Sequence, residues 1–213
     1  MDFLIPRIQI RTLSESQGSP GTIWHDTVPS RGSRTLNPTH LLEAIAFAAD
    51  KHRRQRRKDA EESPYINHPI AVATVLASEG NVSDEMTLLA AVLHDTVEDT
   101  QTTFVELEEH FGPEVAGLVR ELTDDKSLEK GERKRLQIEH ARESSIRAKQ
   151  VKIADKICNV RDITLSPPAD WSPDRRREYL MWSEKVVAGC RDANPNLDQA
   201  FDRPSHGHGT CWR

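Results

Sequence analysis

Cysteine is sparse in this chain: three residues in 213, at positions 158, 190 and 211. Their odd number, wide spacing and lack of any CxxC pattern exclude a disulfide scaffold or a thiolate zinc finger and suit a reducing compartment. Positive charge is not in surplus either. Twenty-nine Lys and Arg stand against 34 Asp and Glu, a net charge of −5, so no general attraction to nucleic acid is expected. No apolar run approaches the roughly 20 residues that a membrane helix needs. The opening MDFLIPRIQIRT places its arginines after a short apolar run broken by Pro6, the reverse of a secretory leader. These absences predict a cytoplasmic protein with neither a membrane nor a nucleic-acid partner, and the length predicts one catalytic domain.

What is present is helical patterning. Residues 1–36, with SESQGSPG and PSRGSR, lack periodicity and read as a loosely ordered extension, as does the tail 204–213. Between them, 37–203 reads as an all-α bundle. Proline marks five expected helix starts, at Asn37-Pro38, His68-Pro69, Gly112-Pro113, Ser172-Pro173 and Asn194-Pro195. Ser83 ahead of Asp84, and Thr103 with Glu106 three residues on, mark two more. Apolar residues recur at helical spacing in LLEAIAFAA, IAVATVLA, MTLLAAVLH and VKIADKICNVRDI.

Three of these segments carry a metal-capable side chain: His68 in YINHP, His94-Asp95 in LLAAVLHDTVEDT and Asp155 in VKIADKICN. Two imidazoles and two carboxylates suit a divalent ion such as Mn, Fe, Zn or Co, and leave octahedral positions free for a water and a phosphate oxygen. Glu98 and Asp99 follow His94 and Asp95 by four residues. If the helix continues, they stack on the ligand face and can orient or deprotonate an attacking water.

Each piece has a plainer reading. A histidine before proline is often only a cap, and Asp155 could pair with Lys152 or Lys156. His25-Asp26-Thr27-Val28 repeats the tetrapeptide at 94–97, yet no apolar helix precedes it, so it is read as coincidence. For His94 and Asp95 the balance favours a metal, because ionisable residues ending an apolar helix are expensive unless paired or coordinated. KHRRQRRK at 51–58 could be a solvated helix end. Its six cations in eight residues exceed what capping requires, and Arg57 and Lys58 are candidate phosphate contacts. Arg161 and Asp162 are as readily an ion pair with neighbours, Tyr65 as readily core as a stacking platform, and His206 and His208 are read as inert.

Taken in order, INHP, HDTVEDT, TDDK and KxADKxxN followed by RD resemble the hydrolase domain of the RelA/SpoT family, within the HD superfamily. The resemblance spans nearly all of 38–203 and is strongest to the single-domain small alarmone hydrolases, the metazoan SpoT homologue type. It implies a helical bundle holding Mn2+ through His68, His94, Asp95 and Asp155, with Glu98 and Asp99 as the catalytic pair. It also places Arg57, Lys58 and Asn159 beside a guanosine tetra- or pentaphosphate, where Tyr65, in its stacking reading, is a further substrate contact. In that family an activated water attacks the phosphate next to the ribose 3′ oxygen, and pyrophosphate leaves.

Departures from the family pattern are Glu62-Ser63 where relatives carry Gly-Thr, Cys158 in place of a larger residue expected beside the nucleotide pocket, and the long N-terminal extension. Two other functions stay open from sequence. One is an HD phosphatase acting on NADPH or a nucleoside monophosphate; the other is a non-catalytic alarmone-binding module.

Overall fold

A computed structural model describes residues 36–203 of the chain. Leu36 apart, the two expected extensions, with His25-Asp26, His206, His208 and Cys211, lie outside the described residues. Within them nine helices follow in order: α1 Pro38–Lys51, α2 Asn67–Ser78, α3 Glu85–Leu93, α4 Thr96–Asp99, α5 Phe104–Leu122, α6 Lys130–Ala141, α7 Ile146–Leu165, α8 Pro173–Cys190 and α9 Pro195–Asp202. The all-α expectation holds. The only strand-like pairing among the described residues is a single bridge between Arg56 and Pro64, and no helix there is long and apolar enough to cross a membrane.

Most helix starts lie where short polar side chains can satisfy orphan N–H groups. Asn37 accepts from the Thr39 amide, Thr103 from Glu106, Ser172 from Arg175, and Asn194 from Asn196 and Leu197. Two starts differ from the expectation. The cap of α3 is Asp84 rather than Ser83, because its Oδ2 accepts from both the Thr87 amide (3.0 Å) and hydroxyl (2.7 Å) while Oδ1 takes Arg147 (2.9 Å). In α2 the helix begins at Asn67, without a side-chain cap, and Pro69 sits inside the first turn. His68 is therefore a helical residue, and its ring is free to face the interior.

Gly112 and Pro113 mark a kink within α5. Gly112 has φ 82° and ψ 164°, a region open essentially only to glycine. An added Cβ there would meet nothing within 4 Å, so Gly112→Ala should cost backbone strain alone, about 1–3 kcal/mol. The check is the urea midpoint, and an unchanged midpoint would contradict the assignment.

Helix α3 is the axis of the site. All nine of its residues are buried, and α1, α2, α5 and α7 pack around it. Even its first residue, Glu85, is accommodated inside, accepting from the Asn37 amide (3.2 Å) and paired with His40 Nδ1 (2.9 Å). Two apolar clusters result: one from α2, α7, α8 and α9, including Val72, Leu76, Ile157 and Leu197; the other from α1, α3 and α5, including Ala44, Leu93, Leu107 and Val119. The C-terminal end of α3, the first turn of α2 and the middle of α7 converge between them.

Candidate metal centre

Four side chains from those three places meet. His68 Nε2 lies 3.0 Å from Asp155 Oδ1 and 3.9 Å from Asp95 Oδ2. His94 Nε2 lies 3.1 Å from Asp95 Oδ2 and 4.0 Å from Asp155 Oδ1. The donor atoms thus form a ring alternating imidazole and carboxylate. Ligands bound at about 2.1 Å and at right angles to one another stand about 3 Å apart, close to the shorter two edges.

The chemistry of this ring calls for a cation. His94 Nδ1 lies 2.8 Å from the Ala91 carbonyl, which can only accept, so Nδ1 carries a proton. In the neutral ring Nε2 is then a lone pair aimed at a carboxylate, and two acceptors 3.1 Å apart need positive charge between them. Burial disfavours the charged form of His94, but Asp95 and then Asp155 more than offset this and raise its pKa to about 9. Burial would likewise raise both carboxylates, yet His94 holds Asp95 below its ordinary range and Lys156 does the same for Asp155. A cluster that retains protons on its histidine while keeping its acids ionised is equally suited to a divalent cation.

Neighbours fix these side chains. Tyr65 donates its hydroxyl to Asp95 Oδ2 (2.6 Å), and Asn159 donates to Asp155 Oδ1 (2.6 Å). Lys156 Nζ holds Asp155 Oδ2 at 2.7 Å, so the Lys156 partnership considered for Asp155 and the convergence with both histidines coexist, one on each oxygen. Tyr65 is half-buried, and desolvation, followed by the Asp95 charge, raises its pKa and keeps its phenol protonated.

Asp95 interrupts the helix only slightly. The Asp99 amide bonds the Asp95 carbonyl at 2.9 Å, and α4 carries Glu98 and Asp99 one turn on, as the spacing predicted. Glu98 Oε2 accepts from the Asp124 amide at 3.1 Å, while Lys126 Nζ and Arg133 stand 3.9 Å from Oε1. Burial raises the Glu98 pKa to about 7, against the Asp124 amide and with help from the charges of Asp124, Asp95 and Asp99. Asp99 accepts from Gln55 at 3.2 Å and from Lys126.

These groups line a cavity of about 190 Å³, which shares Arg57, Tyr65, Asp99 and Asn159 with a second cavity of about 430 Å³. The second is walled by Lys58, Ile163, Pro168, Trp171 and Tyr179 among others. Of the basic run, Lys51 pairs with Glu106, Arg53 with Asp50, and Arg57 with Asp162. Arg161 instead forms a two-pronged pair with Glu79 at 2.6 and 2.9 Å.

Cys158 lines neither cavity. It is buried in the apolar cluster that α2 and α7 share, at the edge of the α7 stripe of Val151, Lys152, Asp155, Lys156 and Asn159 that lines the first cavity. Glu62 does take the left-handed conformation, φ 49°, that glycine would adopt without strain. Sequence reasoning missed Gln55, Lys126, Arg133 and Lys152, which faces the same cavity with its pKa pulled down by burial. Two of them had a signal, Lys126 as the last residue of TDDK and Lys152 as the first of KxADKxxN.

Comparison with known proteins bears on family and fold. Residues 44–180 match the HD domain family. The chain is 54% identical over 168 residues to guanosine-3′,5′-bis(diphosphate) 3′-pyrophosphohydrolase MESH1 of Drosophila melanogaster, covering 79% of this chain and 94% of that protein. With the Homo sapiens protein of the same name it is 56% identical over 161 residues, 76% of this chain and 90% of that one. A solved structure described as a metazoan ortholog of SpoT that hydrolyzes ppGpp superposes with a TM-score of 0.76 at 52% identity, covering 79% of this chain and 95% of the other.

Proposed function

This chain belongs to the HD-domain family, and from that premise we propose that it hydrolyses the 3′-pyrophosphate of guanosine 3′,5′-bis(diphosphate), giving GDP, or GTP from the pentaphosphate, and pyrophosphate. The observation that carries the reading is the alternating ring of His68, Asp155, His94 and Asp95 opening onto a second cavity sized and lined for a nucleotide.

His68, His94, Asp95 and Asp155 would hold the ion, and their mixed nitrogen and oxygen donors suit Mn2+. Such an ion supplies Lewis acidity, making water a nucleophile near neutral pH and polarising a phosphoryl oxygen. The chain's own residues do the rest. Glu98, its pKa raised to about 7 by burial, takes the proton of the attacking water, and Asp99 orients that water. The bond between phosphorus and the ribose 3′ oxygen breaks, and that oxygen leaves with the nucleotide as its 3′ hydroxyl, taking up through solvent the equivalent of the proton that Glu98 removed from the water. Arg57 and Lys58 at the mouth offset phosphate charge, which for Arg57 means exchanging Asp162 for the substrate. Tyr65 and Asn159 hold Asp95 and Asp155 in register, and Trp171 and Tyr179 offer apolar faces to the nucleoside.

Purified protein should release pyrophosphate from guanosine tetraphosphate with Mn2+, stop when EDTA is added, and recover when Mn2+ is returned in excess. Nucleotide that binds without pyrophosphate release would replace this reading with a binding module. Faster turnover of NADPH or a nucleoside monophosphate would replace the substrate.

A further inference from the structure

Behind Asp99 a chain of side chains runs into the core. Gln55 Nε2 is 3.2 Å from Asp99 Oδ2, and Gln55 Oε1 is 2.7 Å from His52 Nδ1. The direction of both bonds follows from the acid at one end. A carboxylate only accepts, so Gln55 donates from its amide nitrogen and turns its carbonyl to His52, which must donate from Nδ1. His52 is 2% exposed, and its Nε2 is buried without a partner among the described residues. A proton there would create a buried cation whose N–H has no acceptor, so the neutral ring with hydrogen on Nδ1 is the form that fits.

The same imidazole supports the other half of the site. Its ring lies against that of Tyr65, with centroids 4.8 Å apart and an interplanar angle of 33°. The Tyr65 amide bonds the Gln55 carbonyl at 3.2 Å, and the Tyr65 hydroxyl holds Asp95. One buried ring therefore stands behind both Asp99 and Asp95.

We propose that His52 and Gln55 are positioning residues of this site: the Nδ1–H of His52 fixes the Gln55 amide, which fixes the Asp99 carboxylate. The proposal rests on the hydrolase reading above for what Asp99 then does. The orientation itself rests only on the bonds and burial described.

Two measurements test it on the full chain. Long-range proton–nitrogen spectra of 15N-labelled protein, with His52 identified by its absence in His52→Asn, should show a neutral ring protonated on Nδ1. An Nε2–H ring, or an imidazolium at neutral pH, would overturn the proposal. In kinetics with guanosine tetraphosphate, Gln55→Leu should lower kcat by about tenfold to hundredfold, with KM within about twofold and bound Mn2+ unchanged. His52→Asn, whose amide nitrogen can take the place of Nδ1, should retain more kcat than His52→Gln, whose amide nitrogen reaches only toward the Nε2 position. If Gln55→Leu lowers Tm yet keeps kcat below its melting range, or the two His52 variants behave alike, the residues are merely structural and the proposal fails. A wild-type chain that releases no pyrophosphate would reject the hydrolase reading instead, and the ring spectra would then decide the His52 orientation alone.

Discussion

Glu98→Gln should keep the divalent ion and lose roughly 10²- to 10⁴-fold in kcat, the range over which a positioned general base contributes. Glu98 makes no contact with the four-residue ring, so the substitution leaves every proposed ligand in place and preserves the shape of the cavity. It removes the capacity to accept a proton, together with the negative charge that faces Lys126 and Arg133 at 3.9 Å. The wild-type pH profile provides the sign: a base works when unprotonated, so kcat/KM rises with pH until Glu98 is ionised. Burial and the surrounding acids set that group near 7, and a bound cation, by favouring the carboxylate, moves the limb downward. In Glu98→Gln the limb should flatten. Metal analysis beside a kcat/KM profile checks both halves, and a variant with near-normal turnover would remove Glu98 from its role.

Asp155→Ala should be the most damaging single change to the fold at this site. Lys156 is 7% exposed, and Asp155 is its carboxylate partner at 2.7 Å. Burial alone would lower its pKa, and Asp155 more than offsets this and raises it. Removing that acid leaves a buried ammonium with the Trp182 ring 4.7 Å away and only the more remote charge of Asp124 to favour it. A desolvated cation–π contact is worth about 2 kcal/mol or somewhat more, and it is present before and after the substitution, so it does not replace the ion pair. The loss expected on breaking a buried pair is about 3–5 kcal/mol. Urea melts in EDTA isolate this from the additional loss of ion binding. Asp155→Ala combined with Lys156→Met should recover most of the stability, since neither charge is then left alone, yet recover no turnover, because a ligand is still missing. A double variant no more stable than Asp155→Ala would show that the ion pair is not the source.

Much of this was legible before any coordinates because ionisable residues within apolar helical runs are conspicuous. His94-Asp95 ends nine buried residues of α3, Asp155 interrupts the apolar face of α7, and His68 adjoins a proline that breaks the polar loop. The four-residue offset to Glu98 and Asp99 held because α3 continues into α4 with an almost helical backbone. Ser83 misled because a hydroxyl and a carboxylate in adjacent positions are both good caps, and only the second accepts two bonds from Thr87. Cys158 misled because nearness to Asp155 in the chain does not specify which side of α7 a residue occupies.

From the amino-acid order alone came the all-α architecture, the metal-capable residues and the acids proposed as catalytic, since periodicity, caps and the expense of buried charge are local properties. Only the folded chain decided that Asp155 gives one oxygen to Lys156 and turns the other toward both histidines, that Arg57 rests on Asp162, and that His52 and Gln55 stand behind Asp99. Those pairings join residues up to 105 positions apart. They depend on the direction in which each donor and acceptor points once α1, α2, α4 and α7 are packed, which no spacing along the chain encodes.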